Sequence, residues 1–358
     1  MQIIAFENRL DNLSALKLMV LSARDVVSSA TIHLPTEGMP AEALEWLGDQ
    51  PNVRLHDDIR FEGEGWNVKI FLLKQFLAKL GGRITWIDAD VIIQSDPSPL
   101  FADLSPDQLV ITEEPYRGTH VGSTIRADAI GLKLGTELGY TANTCIVSVT
   151  SAHDRLLRRW EELAKSPDYL AEQALPISGR SLHYFGDQDL LTALLGSAEF
   201  NGLPIRKLSS GNHIAHSMLS TDYSLGQRLA TIFRGEPVFV HAQGFKVWLH
   251  GTDARGRKLL NQQSAYRLSA RKYADGLTAN DLDWLFGCET YATRTLAAAF
   301  ANHPSLAGAP LGLIGSVRKT LSRCKQALLG AINHNGKGWT DPISITKSLE
   351  QNSKQGDS

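Results

Sequence analysis

Arg83-Ile84-Thr85-Trp86-Ile87-Asp88-Ala89-Asp90-Val91-Ile92-Ile93 is an apolar run interrupted once, by two carboxylates one residue apart. Continuous apolar segments belong to strands covered on both faces, and charge within them is rarely a packing choice. Read as one extended segment, the stretch points the side chains of Asp88 and Asp90 to the same side. Two carboxylates so placed can share one divalent cation, with a diphosphate completing the shell of the ion. On this fragment alone, a strand ending in two solvated aspartates is the other reading.

Outward from this stretch, strand and helix patterns alternate. Residues 2–6 are a short apolar strand, and Leu13, Leu16, Leu18, Met19 and Leu21 have the spacing of an amphipathic helix over 13–24. A strand at Thr31–Leu34, a helix near 40–48 and a strand at Val53–Leu55 follow. A helix from Trp66 to Leu80 is stopped by Gly81-Gly82. Such alternation predicts an α/β fold with a mixed, mostly parallel sheet and helices on both faces. Ligands of such sheets lie beyond the carboxyl ends of the strands, where Asp88 and Asp90 fall. Further on come a strand at Leu109–Thr112, a Gly-rich loop to Thr141, a strand at Thr144–Val149 and a helix from His153 to Ala164. Val238–His241 is the last clear strand. The expected domains are a catalytic one over 1–250, a helix-rich C-terminal extension over 251–334 and a polar, disordered tail over 335–358.

The 358 residues suffice for one large α/β domain with additions, and 43% hydrophobic with 21% charged residues is the composition of a soluble enzyme. A formal net charge of −2 argues against nucleic acid as the main partner. Cys145, Cys288 and Cys324 are too widely spaced for a metal-binding pair and read as free thiols in a reducing compartment. No apolar run approaches the roughly 20 residues that cross a bilayer. Met1-Gln2-Ile3-Ile4 enters a strand without a basic flank, unlike a signal peptide. The expected location is cytoplasmic, or peripheral at the inner face of a membrane. Residues 251–330 hold 11 Lys and Arg against 5 Asp and Glu, so the basic segment Ser316–Asn333 reads either as a helix docked on the domain or as one lying on an anionic membrane.

Four fragments together carry a resemblance. They are Trp86-Ile87-Asp88-Ala89-Asp90 with Asp96-Pro97 behind it, Asn143-Thr144-Cys145, Gly186-Asp187-Gln188-Asp189, and His241-Ala242-Gln243-Gly244-Phe245-Lys246-Val247-Trp248. In this order the chain resembles the nucleotide-sugar glycosyltransferases of the GT-A fold, and most of all glycosyltransferase family 8, the glycogenin and bacterial galactosyltransferase group. The resemblance spans about residues 2–250. It implies a metal-dependent, retaining hexosyltransferase that takes a UDP-sugar as donor. The acceptor is a glycan, a lipid-linked saccharide or a protein.

The resemblance also implies roles. Asp88, Asp90 and His241 would hold Mn²⁺ or Mg²⁺, the imidazole favouring Mn²⁺, with Ala89 beside the donor. Read alone, His241 is an ordinary hydrogen-bonded histidine at a strand end. Gly244 would let the backbone approach a phosphate and Lys246 would supply a point charge. The family usually has two residues between that glycine and lysine, followed by Pro-Trp; here only Phe245 intervenes and Val247 replaces the proline. Asp187 would bind donor-sugar hydroxyls; an N-cap role also explains this carboxylate, but not Phe185-Gly186 leading into Asp-Gln-Asp. Gln188 would lie under the anomeric carbon and stabilise positive charge through its carbonyl dipole. Asn143 is a donor contact or a turn residue, Lys69 a donor contact or a solvated lysine, and Glu7, with Asn8, a loose match for base recognition.

Other features have plainer readings. His213 and His216 look like a metal pair but read as solvated, and Trp160 with Arg155, Arg158 and Arg159 fits a helix with one packed and one wet face. Two other functions compete. Ile87-Asp88-Ala89-Asp90-Val91 also resembles the nucleophile motif of haloacid-dehalogenase-type phosphatases, with Asp88 attacking phosphorus, but about three strands precede it here instead of none. A catalytically silent sugar-nucleotide-binding protein is the third reading.

Overall fold

The computed structural model describes residues 1–27, 29–115, 122–181, 183–217, 223–243, 246, 248, 264–278, 285–286, 290–310, 313 and 317. Gly244, Cys288, Cys324, the tail 335–358 and all of 316–333 except Val317 lie outside the described residues. Met1–Leu313 forms one compact unit.

In chain order the elements are β1 (Gln2–Ile4), α1 (Leu13–Val26), β2 (Thr31–Pro35), α2 (Ala41–Gly48), β3 (Val53–His56), α3 (Val68–Leu80), β4 (Ile84–Ile87), β5 (Val91–Ile93), α4 (Ser98–Phe101) and β6 (Leu109–Glu113). Then come α5 (Ser123–Ala129), β7 (Ala142–Val149), α6 (Asp154–Ala164), α7 (Pro167–Gln173), α8 (Asp187–Leu195), β8 (Ile205–Leu208), β9 (Ile214–His216), α9 (Leu225–Arg234), β10 (Phe239–His241), α10 (Ala265–Ala270) and α11 (Tyr291–Ala299). The protein is therefore the expected α/β fold. Seven strands form the main sheet in the order β3-β2-β1-β4-β7-β6-β8. Only β7 runs against its neighbours β4 and β6, while β1 pairs in parallel with β2 and β4, β2 with β3, and β6 with β8.

The apolar stretch 83–93 is not one strand. Ile84–Ile87 belongs to the main sheet, whereas Val91–Ile93 lies in a second, three-stranded sheet ordered β5-β10-β9. Between them Asp88-Ala89-Asp90 is a turn, closed by a bond from Val91 N to the Asp88 carbonyl at 3.1 Å. The same-side placement of the two carboxylates thus comes from a turn and not from strand alternation. Hydrophobic periodicity cannot separate one long buried strand from two short ones, because both are apolar throughout. The Gly-rich loop expected before Thr141 likewise contains α5.

Helix α1 explains how two sheets coexist. Leu16, Met19, Val20 and Ala23 enter the core of the main sheet. Leu18 and Leu21 enter a second core with Ile92, Val240, Ala215 and Tyr266. A helix with apolar residues on two faces is buried on both sides. Ser22 fits because its hydroxyl donates to Met19 O at 2.9 Å and accepts from Ile93 N at 3.1 Å. Helix α3 stops at Gly81, whose φ of +66° suits glycine. Helix α10 packs Ala265, Tyr266 and Ala270 into the second core. Among the described residues, no helix is long and apolar enough to cross a membrane.

One close approach locks the element that carries the second carboxylate motif. At the end of α8, a Cβ on Gly196 would lie 2.4 Å from the backbone carbon of Ser123 and 2.6 Å from its oxygen. Gly196→Ala is expected to destabilise the protein by about 1–3 kcal/mol, the usual cost of overpacking, in a urea unfolding experiment. Gly48→Ala, where a Cβ would meet nothing within 4 Å, is the control and is expected to be neutral or slightly stabilising.

Candidate functional site

Asp88 follows β4 directly and is held from three directions. Its backbone N–H donates to Cys145 O at 2.8 Å, and its Oδ1 accepts from Trp86 Nε1 at 2.5 Å. The Lys69 ammonium lies 3.2 Å from the same oxygen. Lys69 is not a solvated lysine: it is 2% exposed. It stands on the first turn of α3 and also lies 3.3 Å from Asp187 Oδ2. It donates to Thr144 Oγ1 at 2.8 Å, and that hydroxyl donates on to Asp187 Oδ2 at 2.9 Å. Burial works against the Lys69 charge, but Asp187 and Asp88 outweigh it and raise its pKa. Burial likewise opposes charge on Asp88, yet Lys69 and His241 hold it below the usual carboxylate range. Asp187 is raised by burial and by the Asp88 charge, which Lys69 does not fully offset. Two carboxylates share one ammonium, and Asp187, the more deeply buried, is the one held up.

Asp187 does not cap α8. Gly186 is the N-cap residue, and the capping bond comes from Asp189, whose Oδ2 accepts from Gly186 N at 3.0 Å. Asp189 Oδ1 accepts from Arg126 Nε at 2.9 Å. Burial pushes Asp189 up to about 6 against that pairing. The first carboxylate of Asp187-Gln188-Asp189 is therefore free of cap duty and turned to Lys69. Gln188 is half-buried, and its carboxamide carries no hydrogen bond among the described residues.

Asp90 and His241 meet at one end of the small sheet, where His241 pairs with Val91. Ala242 N donates to Asp90 O at 3.0 Å, and His241 Nε2 lies 3.4 Å from Asp90 Oδ1. Candidate ligand atoms of Asp88, Asp90 and His241 all lie within 4.8 Å of one another. Lys246 forms an ion pair with Asp90 Oδ2 and donates to Ala242 O at 2.9 Å; burial pulls its pKa down to about 8. Ala89, between the aspartates, is buried.

Asn143 is not a turn residue but part of β7, opposite Thr112 at an irregularity in the β6–β7 register. Its Nδ2 donates to Glu114 Oε2 at 2.7 Å, and its Oδ1 accepts from Cys145 N at 2.9 Å. Glu7 is buried and already occupied: Arg9 Nε donates to Oε1 at 2.8 Å, and Asn12 Nδ2 to Oε2 at 3.0 Å. Asn8 is exposed. The described residues of the four fragments spread over 86–248 converge, with Glu7 joined at their edge because Asn12 Oδ1 accepts from Trp248 Nε1 at 2.9 Å.

The sequence reading missed several participants. His216 is not solvated; it is wholly buried beside His241, whereas His213 accepts from Ser209 N at 2.9 Å and is apart from it. Glu114 is buried and accepts from Gln243 Nε2 at 2.8 and 2.7 Å. Glu114 follows a buried apolar strand as Asp88 does, and the same strand-end argument finds it. Trp66 is stacked on Phe185 with ring centroids 6.4 Å apart. Trp160 is buried and its Nε1 donates to Asp187 O at 3.1 Å, while Arg158 and Arg159 pair with acids on the wet face of α6.

No protein-family model matches the chain, and no curated protein matches it. Solved structures do. A galactosyltransferase, LgtC, in complex with donor and acceptor sugar analogs is 14% identical, with a TM-score of 0.46 over 78% of this chain and 97% of its own. A glycosyltransferase involved in the glycosylation of the major capsid of PBCV-1 is 13% identical, with a TM-score of 0.41 over 68% of this chain and 93% of its own. The glycosyltransferase GlyE of Streptococcus pneumoniae TIGR4 is 13% identical, with a TM-score of 0.44 over 77% and 63%.

Removing the shared ammonium leaves a buried carboxylate, Asp187, facing a half-buried one, Asp88. Lys69→Ala is expected to cost about 3–5 kcal/mol, the penalty for breaking a buried ion pair from one side. Urea unfolding of the metal-free protein measures it.

Proposed function

We propose that the chain is a metal-dependent, retaining glycosyltransferase that moves a hexose from a UDP-sugar to a saccharide, lipid-linked or protein acceptor. The observation that carries this reading is the convergence of Asp88, Asp90 and His241, with candidate ligand atoms within 4.8 Å of one another. Two carboxylates and one imidazole are a donor set suited to Mn²⁺, and less strictly to Mg²⁺. The residues fit such an ion: two carboxylates and an imidazole have candidate ligand atoms within 4.8 Å of one another, with Lys69 and Lys246 paired to the carboxylates. When bound, the ion supplies Lewis-acid stabilisation of the departing diphosphate.

The remaining steps belong to the protein's own groups. Lys69 keeps the carboxylates of Asp88 and Asp187 at a fixed separation while Asp187 takes donor-sugar hydroxyls. Gln188 offers a free carbonyl dipole to positive charge developing at the anomeric carbon, as preorganised electrostatics and not as a nucleophile. Lys246, paired with Asp90, would supply a positive charge to a phosphate of the donor. Asn143 holds Glu114, and through it Gln243, along the floor of the site. We assign this activity to residues 1–250 and treat 251–334 as an extension.

Donor hydrolysis tests the reading without an acceptor. Purified protein with Mn²⁺ and UDP-, GDP- or dTDP-sugars is expected to release UDP, and calorimetry is expected to show UDP binding strengthened by Mn²⁺ because the two share a site. Asp88→Asn and Asp90→Asn should abolish hydrolysis and the metal effect together. Equal UDP binding with and without Mn²⁺ would sink the arrangement.

Stereochemistry provides a separate check. Gln188→Ala is expected to lower kcat on the order of 10²-fold, the scale of removing one transition-state dipole, with UDP affinity nearly unchanged. Product NMR should show the donor's α linkage retained. A β-linked product would require a general base that Gln188 cannot be.

A further inference from the structure

His241 has two ring nitrogens, and they face opposite ways. Nε2 lies 3.4 Å from Asp90 Oδ1. Nδ1 lies 3.1 Å from Nδ1 of His216, its partner in the parallel register of β9 and β10. Two nitrogens at that distance need one proton between them, and the contact alone does not say whose it is.

The next bond decides it. His216 Nε2 is 3.0 Å from the carbonyl oxygen of Glu113, at the end of β6. A carbonyl only accepts, so Nε2 of His216 carries hydrogen. His216 is 0% exposed, and its two nitrogens meet a backbone carbonyl and another imidazole, with no carboxylate to balance a charge, so the ring is neutral. A neutral imidazole with a proton on Nε2 has its lone pair on Nδ1. The proton between the rings therefore sits on Nδ1 of His241.

We propose that His216, anchored by the Glu113 carbonyl, is a positioning residue that fixes the Nδ1–H form of His241 and aims His241 Nε2 at the Asp88–Asp90 pair as a cation ligand. The chain of bonds runs from the main sheet through both histidines of the small sheet. It rests on the metal reading for its purpose, but the protonation pattern is a property of the metal-free protein. A histidine ligand needs its far nitrogen held by a partner of fixed polarity, and loss of such partners costs metal affinity. Cys145 belongs to the same buried group, its Sγ and the two imidazoles lying within 4.8 Å of one another. A soft-metal site made of these three would instead require both facing Nδ1 atoms to be bare.

Nitrogen NMR of the full chain, labelled at histidine and stripped of metal, reads the pattern directly. The expected spectrum has Nε2 protonated and Nδ1 bare on His216, and Nδ1 protonated on His241. Two bare Nδ1 atoms would overturn the proposal. Calorimetry with Mn²⁺ alone gives the second readout. His216→Leu is expected to weaken Mn²⁺ binding about 10–100-fold, and His216→Asn, whose side-chain oxygen accepts where Nδ1 did, to bind nearly as the parent does. Thermal unfolding of both variants separates lost folding from lost orientation. A Leu variant that binds as tightly as the parent, or a folded Asn variant no better than Leu, overturns the positioning role. A parent that binds no Mn²⁺ yet shows the expected spectrum overturns the metal reading and leaves the orientation of His241 standing.

Discussion

A buried ammonium between two carboxylates is the interaction on which the rest of the site depends. Burying Lys69 is costly unless both its charge and its protons are satisfied, and satisfying them takes four separate segments. Helix α3 supplies the lysine, β4 supplies Asp88, β7 supplies Thr144, and α8 supplies Asp187. None of these groups can move alone without leaving a buried charge uncompensated. Because Asp187 is the first residue of α8, pinning it also fixes where Gln188 stands. The position of the candidate catalytic amide is thus an electrostatic consequence of a lysine more than 100 residues earlier in the chain.

The Asp-Gln-Asp triplet divides its labour accordingly. One carboxylate holds the helix start and Arg126, the other faces the site. Had Asp187 also capped the helix, its oxygens would be committed to backbone and unavailable to a ligand. A neutral N-cap glycine, with the acid three residues later doing the capping, frees the position next to Gln188.

The fold class was legible in the sequence because strands and helices alternate cleanly, and because Gly81 marks where α3 ends. The split at Asp88–Asp90 was not, since both halves are equally apolar and only pairing partners distinguish them. Asp88, Asp90 and His241 were visible as polar residues at the ends of apolar runs. Lys69 was not assignable, because an isolated lysine near a helix start looks the same whether it is solvated or clamped between acids. His216 was misjudged for the converse reason: its spacing from His213 drew the comparison, whereas its actual neighbour, His241, is set by strand register. Charge and periodicity are local; compensation of buried charge and cross-strand neighbours are not.

The ion pair between Lys246 and Asp90 has a consequence for what can enter. An acidic pocket left to itself would repel its own walls and invite any passing cation. Here a tethered ammonium sits on Asp90 Oδ2, so the pocket is neutralised from within and its walls can stay close. On the metal reading proposed above, an arriving cation would displace that resident, and the displaced lysine would need an anion nearby. A cation that comes together with a phosphate satisfies both demands at once, and a bare cation satisfies only one. On the function proposed above, the lysine would favour entry of the two charges as a couple.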